Sequence, residues 1–117
     1  MFVNCENNKD FRGGERPDGL TIDANGHLWS ALNGGGRVVK INPESGRVEQ
    51  SIAINAGPLT TSLAFGGANL DELYVTVAYK NKGPDQRSNY PNAGRVHRIT
   101  IDANVLKGMD YMFRFKP

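Results

Sequence analysis

The sequence has little cysteine, no long apolar stretch and no run of like charges. Its single cysteine, Cys5, excludes an internal disulfide and fits a reducing compartment. No apolar stretch approaches the roughly 18 residues that a membrane-spanning helix needs. The first residues, MFVNCENNK, lack the charged and then apolar order of a signal peptide. These absences predict a cytoplasmic protein without a membrane partner.

Charge is nearly balanced, with 14 Lys and Arg residues against 12 Asp and Glu residues, a formal net charge of +2. The chain has no block of five or six like charges, so the sequence predicts no nucleic-acid partner. His27 and His97 lack the spacing of a common zinc site, and no Gly-x-Ser-x-Gly nucleophile motif occurs. The sequence therefore indicates neither a zinc site nor a serine-nucleophile site.

Glycine is abundant, at 14 of 117 residues, and it concentrates in clusters of turn-forming residues at 23–26, 33–36 and 42–46. The apolar segments between these clusters are too short for ordinary helices and are rich in β-branched or aromatic residues. They predict four antiparallel strands, around 20–22, 28–32, 38–41 and 47–54. Gly34, Gly35 and Gly36 precede a strand and not a helix, so they predict a hairpin and not a phosphate loop.

The chain contains an internal repeat. The segment GLTIDANGHLWSAL, residues 19–32, aligns with SLAFGGANLDELYVTV, residues 62–77, and GRVVKI aligns with GRVHRI. The offset between Trp29 and Tyr74 is close to the roughly 40–45 residue period of a four-stranded propeller blade. The fold class is therefore all-β, with one blade at about 16–56 and a second at about 60–117. The connection AYKNKGPDQRSNYPNAG is predicted to be a surface loop, and the tail DYMFRFKP to supply an outer strand.

Two blades cannot close a ring, because propellers have about four to eight. Blades left alone would expose strand edges and apolar faces, which is a route to self-association. The sequence leaves two explanations open. The chain is a part of a longer product, or it assembles with other chains through its exposed blade edges.

Several separated motifs carry a family resemblance. Pro-Asp-Gly precedes a strand, and Asp-x-x-Gly-x-Leu-Trp, Gly-Gly-Arg-Val, Thr-Thr-Ser-x-x-Phe-Gly-Gly and Leu-Tyr-Val-Thr follow in that order. In these motifs, over about residues 16–101, the chain resembles the C-terminal third of the regucalcin (senescence marker protein), gluconolactonase and luciferin-regenerating enzyme family. The resemblance implies a six-bladed propeller that binds one divalent cation, calcium or else zinc, manganese or magnesium. It also implies hydrolysis of a small-molecule sugar lactone.

Asp18 occupies the family position that serves as metal ligand and presumed general base. A hard cation needs about six to eight oxygen ligands, and the resemblance implies that the others come from earlier blades. Asp18 is therefore one ligand of an incomplete set, and we expect no activity from this chain alone. Without the resemblance, a turn-shaping role for Asp18 beside Gly19 is an equal alternative.

The sequence thus predicts a metal-dependent sugar-lactone hydrolase for the complete protein. The alternative is a non-catalytic calcium-binding regulatory protein, or an inactive truncated propeller.

Two further expectations concern packing and turns. Trp29 and Tyr74 should pack between blades or sheets, and Asp23-x-Asn25 and Asp102-x-Asn104 should form turns, because they lack the glycine and the distal glutamate of a calcium loop.

Overall fold

The computed structural model describes residues 8–78 and 90–100, which form two antiparallel sheets. The first sheet has four strands in the order β1-β2-β3-β4, and the second has three in the order β5-β6-β7. Neither described range contains a helix long and apolar enough to span a membrane. The strands are β1 (Arg16–Ile22), β2 (Leu28–Asn33), β3 (Arg37–Ile41), β4 (Val48–Ala53), β5 (Thr60–Gly66), β6 (Glu72–Val77) and β7 (Val96–Thr100).

Turn chemistry sets the hairpins of the first sheet, as the sequence predicts. Gly26 and Gly46 adopt positive φ angles of 83° and 71°, which L side chains rarely adopt. The amide of Gly26 donates to the carbonyl of Asp23, and that of Gly46 donates to the carbonyl of Asn42, at 3.0 and 2.8 Å. The prediction of four short strands is confirmed, with the fourth strand lying within the predicted range.

The buried side chain of Asp23 stabilises the β1–β2 turn through hydrogen bonds. One of its carboxylate oxygens accepts hydrogen bonds from the backbone amides of Asn25 and His27, and the other accepts the Trp29 indole N–H at 2.9 Å. A buried carboxylate needs such partners, because burying an unpaired charge is costly. The interpretation of Asp23-x-Asn25 as a turn is confirmed, whereas residues 102–104 lie outside the described residues.

The second sheet repeats the first with one described strand fewer. Strands β5 and β6 pair as β1 and β2 do, and β7 pairs with β6 as β3 pairs with β2. Gly36 and Gly94, which are equivalent in the repeat, both have positive φ, at 62° and 79°. The predicted surface loop at 78–94 and the predicted outer strand of the tail fall wholly or largely outside the described residues.

The two sheets pack face to face through an apolar core. The Trp29 ring is fully buried and meets Phe65 edge to face, with ring centroids 6.2 Å apart and planes at 83°. The expectation that Trp29 packs between sheets is confirmed. The buried members of this core are Trp29, Ala31, Val38, Ile54, Ala56, Leu63, Leu73, Val75 and Val77.

Tyr74 does not pack between the two sheets, and that expectation is wrong for the described residues. On β6 the buried positions are Leu73 and Val75, and they face the first sheet. Because side chains alternate along a strand, Tyr74 faces the opposite side. There it is half-buried, covers Gly66 and donates its hydroxyl to Glu72 at 2.7 Å.

Each sheet also has an outer face, turned away from the other sheet. On the first sheet, Phe11 from the segment that precedes β1 covers a second apolar cluster on β2 and β3. Leu20 on the same face remains 62% exposed. On the second sheet, Val96 shares the face of Tyr74 and is 64% exposed. Uncovered apolar side chains therefore lie on both outer faces.

Candidate metal ligand at the edge of the first sheet

Asp18 lies in a β-bulge of strand β1. Pro17 pairs with Leu32 and Leu20 pairs with Ser30, so β1 has one more residue than β2 between these two pairs. Bulges of this kind redirect a side chain and are frequent beside functional sites. The Asp18 side chain is exposed, and no residue that the structure describes donates a hydrogen bond to it. Within residues 8–78 and 90–100, the carboxylate is therefore accessible to a ligand.

Close contact between the two sheets places the Asp18 bulge beside the second sheet. Strand β5 packs against β1 and β2, and a Cβ added to Gly19 would lie 2.5 Å from the Ser62 Cα. Only glycine allows the two backbones to approach this closely. Glycine is required at position 19 by the close approach of strand β5. The presence of Gly19 therefore does not favour the turn-shaping alternative for Asp18.

The second sheet carries the same irregularity at the equivalent position. Thr60 pairs with Val77 and Ser62 pairs with Thr76, which leaves Thr61 as the bulged residue. The Thr61 hydroxyl lies 2.7 Å from the hydroxyl of Thr76. In the repeat Thr61 corresponds to Asp18, so the two edge strands present a carboxylate and a hydroxyl at matching positions.

These residues do not form a complete metal site. Across residues 8–78 and 90–100, no group of three or more His, Cys, Asp or Glu side chains is arranged to hold a metal ion. The buried carboxylates of Asp23 and Glu15 are already occupied by hydrogen bonds within the chain. A hard cation needs about six to eight oxygens. These described residues alone therefore do not supply the ligand set of a hard cation.

The two histidines take no part in this site. The His27 Nε2 lies 2.9 Å from a Glu49 carboxylate oxygen, and His97 Nε2 lies 3.0 Å from the Asn92 carbonyl. Both are half-buried and not fully exposed surface residues.

A buried ion pair next to β1 was not predicted from the sequence. Glu15, whose side chain is 1% exposed, accepts two hydrogen bonds from the Arg37 guanidinium, at 2.7 and 2.8 Å. Arg37 also donates to the carbonyl of Asp10 and to the Ser51 hydroxyl. This network fixes the segment that leads into the Asp18 bulge against β3 and β4.

The glycine run 34–36 makes room for that network. A Cβ on Gly35 would overlap the Glu15 carboxylate, and a Cβ on Gly34 would overlap the Gly14 carbonyl. On the other side, Gly34 and Gly36 donate their amides to the Pro58 carbonyl, at 2.8 and 3.2 Å. The predicted hairpin is confirmed. Its glycines also contact two other segments of the chain, at 14–15 and at Pro58.

The ion pair makes stability depend on pH. Hydrogen bonds from Arg37 hold the pKa of Glu15 below its ordinary value of 4.5. A carboxyl whose pKa is lowered by folding stabilises the fold fully above its ordinary pKa and loses this contribution as pH falls through the lowered one. We therefore expect the free energy of unfolding to fall as pH drops below 4.5, and Glu15→Gln to make that fall shallower. Urea denaturation followed by circular dichroism at several pH values measures this.

Asp10 provides the matched control. Its pKa is lowered by hydrogen bonds from Arg47 and from the Val48 amide, but its partner Arg47 is largely exposed. Exposed pairs contribute little to stability. Asp10→Asn should therefore alter the acid dependence less than Glu15→Gln, and an equal effect of both changes would contradict the role of the buried pair.

Comparison with known proteins agrees with this architecture. A family model described as the SMP-30/Gluconolactonase/LRE-like region matches residues 1–79. The chain belongs to this family. It is 43% identical over 84 residues to regucalcin from Oryctolagus cuniculus and 42% identical over 84 residues to regucalcin from Homo sapiens. These matches cover 72% of the chain and 28% of each regucalcin.

Solved structures show the same relation. A calcium-binding protein, regucalcin, from Agrobacterium tumefaciens aligns with a TM-score of 0.74 and 28% identity, over 86% of this chain and 32% of its own. A luciferin-regenerating enzyme aligns with a TM-score of 0.65 and 40% identity, over 80% of this chain and 30% of its own. The chain therefore spans about a third of the length of these relatives. Its two sheets are neighbouring blades of a β-propeller.

Proposed function

We propose that the complete propeller to which these two sheets belong is a metal-dependent sugar-lactone hydrolase of the gluconolactonase type. One observation carries the proposal: the Asp18 carboxylate stands exposed in a bulge, without a described hydrogen-bond donor, at the family's Pro-Asp-Gly motif. The buried carboxylates nearby, in contrast, are bonded within the chain. Of these three carboxylates, Asp18 is the one that is exposed.

Asp18 would hold one oxygen toward the cation and accept a proton from water. A bound divalent cation supplies positive charge, which polarises a lactone carbonyl. A positioned carboxylate that removes the proton of an attacking water is a general base. The neighbouring Gly19 packs closely against Ser62, which positions the bulge beside the second sheet. The family likeness supports a sugar lactone as the small-molecule substrate.

The second candidate function is calcium binding without catalysis. It is favoured by one specific likeness, since the Agrobacterium structure is that of a calcium-binding protein. Both functions would use Asp18 as a ligand, and they differ only in whether Asp18 also removes a proton. Binding data alone therefore cannot separate them.

The two functions are separated by an assay on a complete propeller. Such a protein can be made by replacing the matching segment of human regucalcin with this chain. If the proposal holds, the folded hybrid opens glucono-lactone, loses this activity on chelation and regains it with calcium, manganese, magnesium or zinc. A folded hybrid that binds calcium but leaves the lactone closed would favour the second function.

A further inference from the structure

Strand β5 begins with three hydroxyl residues, Thr60, Thr61 and Ser62, on the edge of the second sheet that contacts β1. Thr60 is fully buried, and the Thr61 hydroxyl lies 2.7 Å from the hydroxyl of Thr76. Ser62, in contrast, is exposed. Among these three residues, Ser62 is therefore the one whose side chain a ligand can reach.

Ser62 lies against the Asp18 bulge. A Cβ added to Gly19 would lie 2.7 Å from the Ser62 Oγ and 2.9 Å from the Ser62 Cβ, so the Ser62 side chain packs on the residue that follows Asp18. Gly19 and Ser62 are also equivalent in the repeat, and each lies at the bulge of its strand. Ser62 and Asp18 therefore lie at the same level of two neighbouring edge strands.

The backbone of Ser62 is held in place by a neighbouring strand. Ser62 pairs with Thr76 of β6, and the Thr76 hydroxyl, which contacts that of Thr61, also lies 3.4 Å from the Ser62 carbonyl. Thr76 therefore connects the bulge of β5 to Ser62. A residue that is already positioned in this way loses less conformational freedom when it binds a ligand.

A serine hydroxyl suits a neutral, hydroxylated ligand. It donates and accepts hydrogen bonds, as a sugar hydroxyl does, and it carries no charge that would repel a cation. In the proposed function the cation polarises the lactone carbonyl, and Asp18 accepts a proton from water. The polar groups of a sugar lactone that these two roles do not use are its hydroxyls.

We propose that Ser62 binds a hydroxyl group of the sugar lactone and makes the site prefer hydroxylated lactones to unsubstituted ones. The inference rests on the proposed function, because it assigns one residue to substrate recognition at the same site. Ser62 takes no part in proton transfer or in cation binding. A site that hydrogen-bonds a substrate hydroxyl discriminates against the analogue that lacks it, because the polar group of the site then loses its partner.

Two lactones with the same ring test this role in the regucalcin hybrid. Glucono-δ-lactone carries hydroxyl groups, and δ-valerolactone carries none. We expect Ser62→Ala to lower kcat/KM for glucono-δ-lactone by about 3–10-fold, the usual effect of losing one hydrogen bond between neutral groups. For δ-valerolactone, kcat/KM should stay within about twofold, below the effect of one hydrogen bond. If δ-valerolactone is not opened, its inhibition constant against glucono-δ-lactone is compared instead.

Ser62→Gly and Ser45→Ala are the control variants. Glycine is the residue at the equivalent position of the first sheet, so Ser62→Gly should fold and should reproduce the effect of Ser62→Ala. Ser45 is an exposed serine in the β3–β4 turn, and Ser45→Ala should leave the rates with both lactones unchanged. Calorimetric titration of calcium should give the wild-type affinity for all three variants.

Failure of this role can be told apart from failure of the proposed function. A folded wild-type hybrid that opens neither lactone contradicts the proposed function, and the role of Ser62 with it. When the wild-type hybrid opens glucono-δ-lactone, the role of Ser62 alone is overturned by any of three results. These are a wild-type rate for Ser62→Ala, an equal loss with both lactones, and loss of calcium binding in Ser62→Ala.

Discussion

Asp18→Asn, made in the regucalcin hybrid that carries these two sheets, is expected to lower lactone turnover by about 10²–10⁴-fold, the usual contribution of a general base. The amide keeps one oxygen that can meet a cation but cannot take a proton from water. The fold should not change, because the Asp18 side chain is exposed and is not part of the buried ion pair or of the core. Initial rates of glucono-lactone opening measure the effect.

Glu44→Gln is the matched control for this change. Glu44 is also an exposed carboxylate, but it lies in the β3–β4 turn, away from the Asp18 bulge. Its replacement should leave turnover within about twofold of the wild-type rate, which is well below the expected general-base effect. If Asp18→Asn likewise kept the wild-type rate, Asp18 would not be the general base.

Trp29→Ala is expected to destabilise the same hybrid by about 3–5 kcal/mol, the usual cost of removing a large buried aromatic side chain. Trp29 is fully buried between the sheets, meets Phe65 edge to face and bonds the buried carboxylate of Asp23. Truncation would open a cavity and leave that Asp23 oxygen without its indole partner. The free energy of unfolding, from urea denaturation followed by circular dichroism, measures the loss.

Trp29→Phe separates packing from hydrogen bonding at this position. It keeps an aromatic ring in the core but removes the indole donor, so it should cost less than Trp29→Ala. Unchanged stability of Trp29→Ala, together with weaker lactone or calcium binding, would contradict the assignment of Trp29 to the core.

Much of the fold could be predicted from local sequence. The glycine and Asx clusters at 23–26, 33–36 and 42–46 give turns, because their backbone needs are met within a few residues. The short segments between them have no alternative to strands. The internal repeat then predicts the second sheet from the first, and the structure agrees down to the matching bulges at Asp18 and Thr61.

What could not be predicted depends on contacts between distant residues. Glu15 and Arg37 are 22 positions apart, and neither residue alone indicates that it will be buried. The run of three glycines at 34–36 was a possible signal of close packing around Glu15, because a hairpin turn needs fewer than three glycines in succession. Tyr74 was misplaced because its equivalence to Trp29 predicts the same strand position but not whether another sheet covers that face.

One residue of the candidate site, Asp18, could be predicted from the sequence. The arrangement of side chains around it could not. The Pro-Asp-Gly motif singles out Asp18 through the family resemblance, and the bulge explains how its side chain leaves the sheet. Among the described residues, no group of three or more His, Cys, Asp or Glu side chains could hold a metal ion. The resemblance implies that the other ligands come from earlier blades, and two blades alone cannot show them.

The role of Asp18 as a metal ligand is tested most directly by titrating calcium calorimetrically into the folded hybrid and into its Asp18→Ala and Glu44→Gln variants. We expect one calcium per hybrid for the wild type and for Glu44→Gln. We expect binding to be lost in Asp18→Ala, which removes both the charge and the oxygen donor. Calcium binding by Asp18→Ala at the wild-type affinity would contradict the role of Asp18 as a metal ligand.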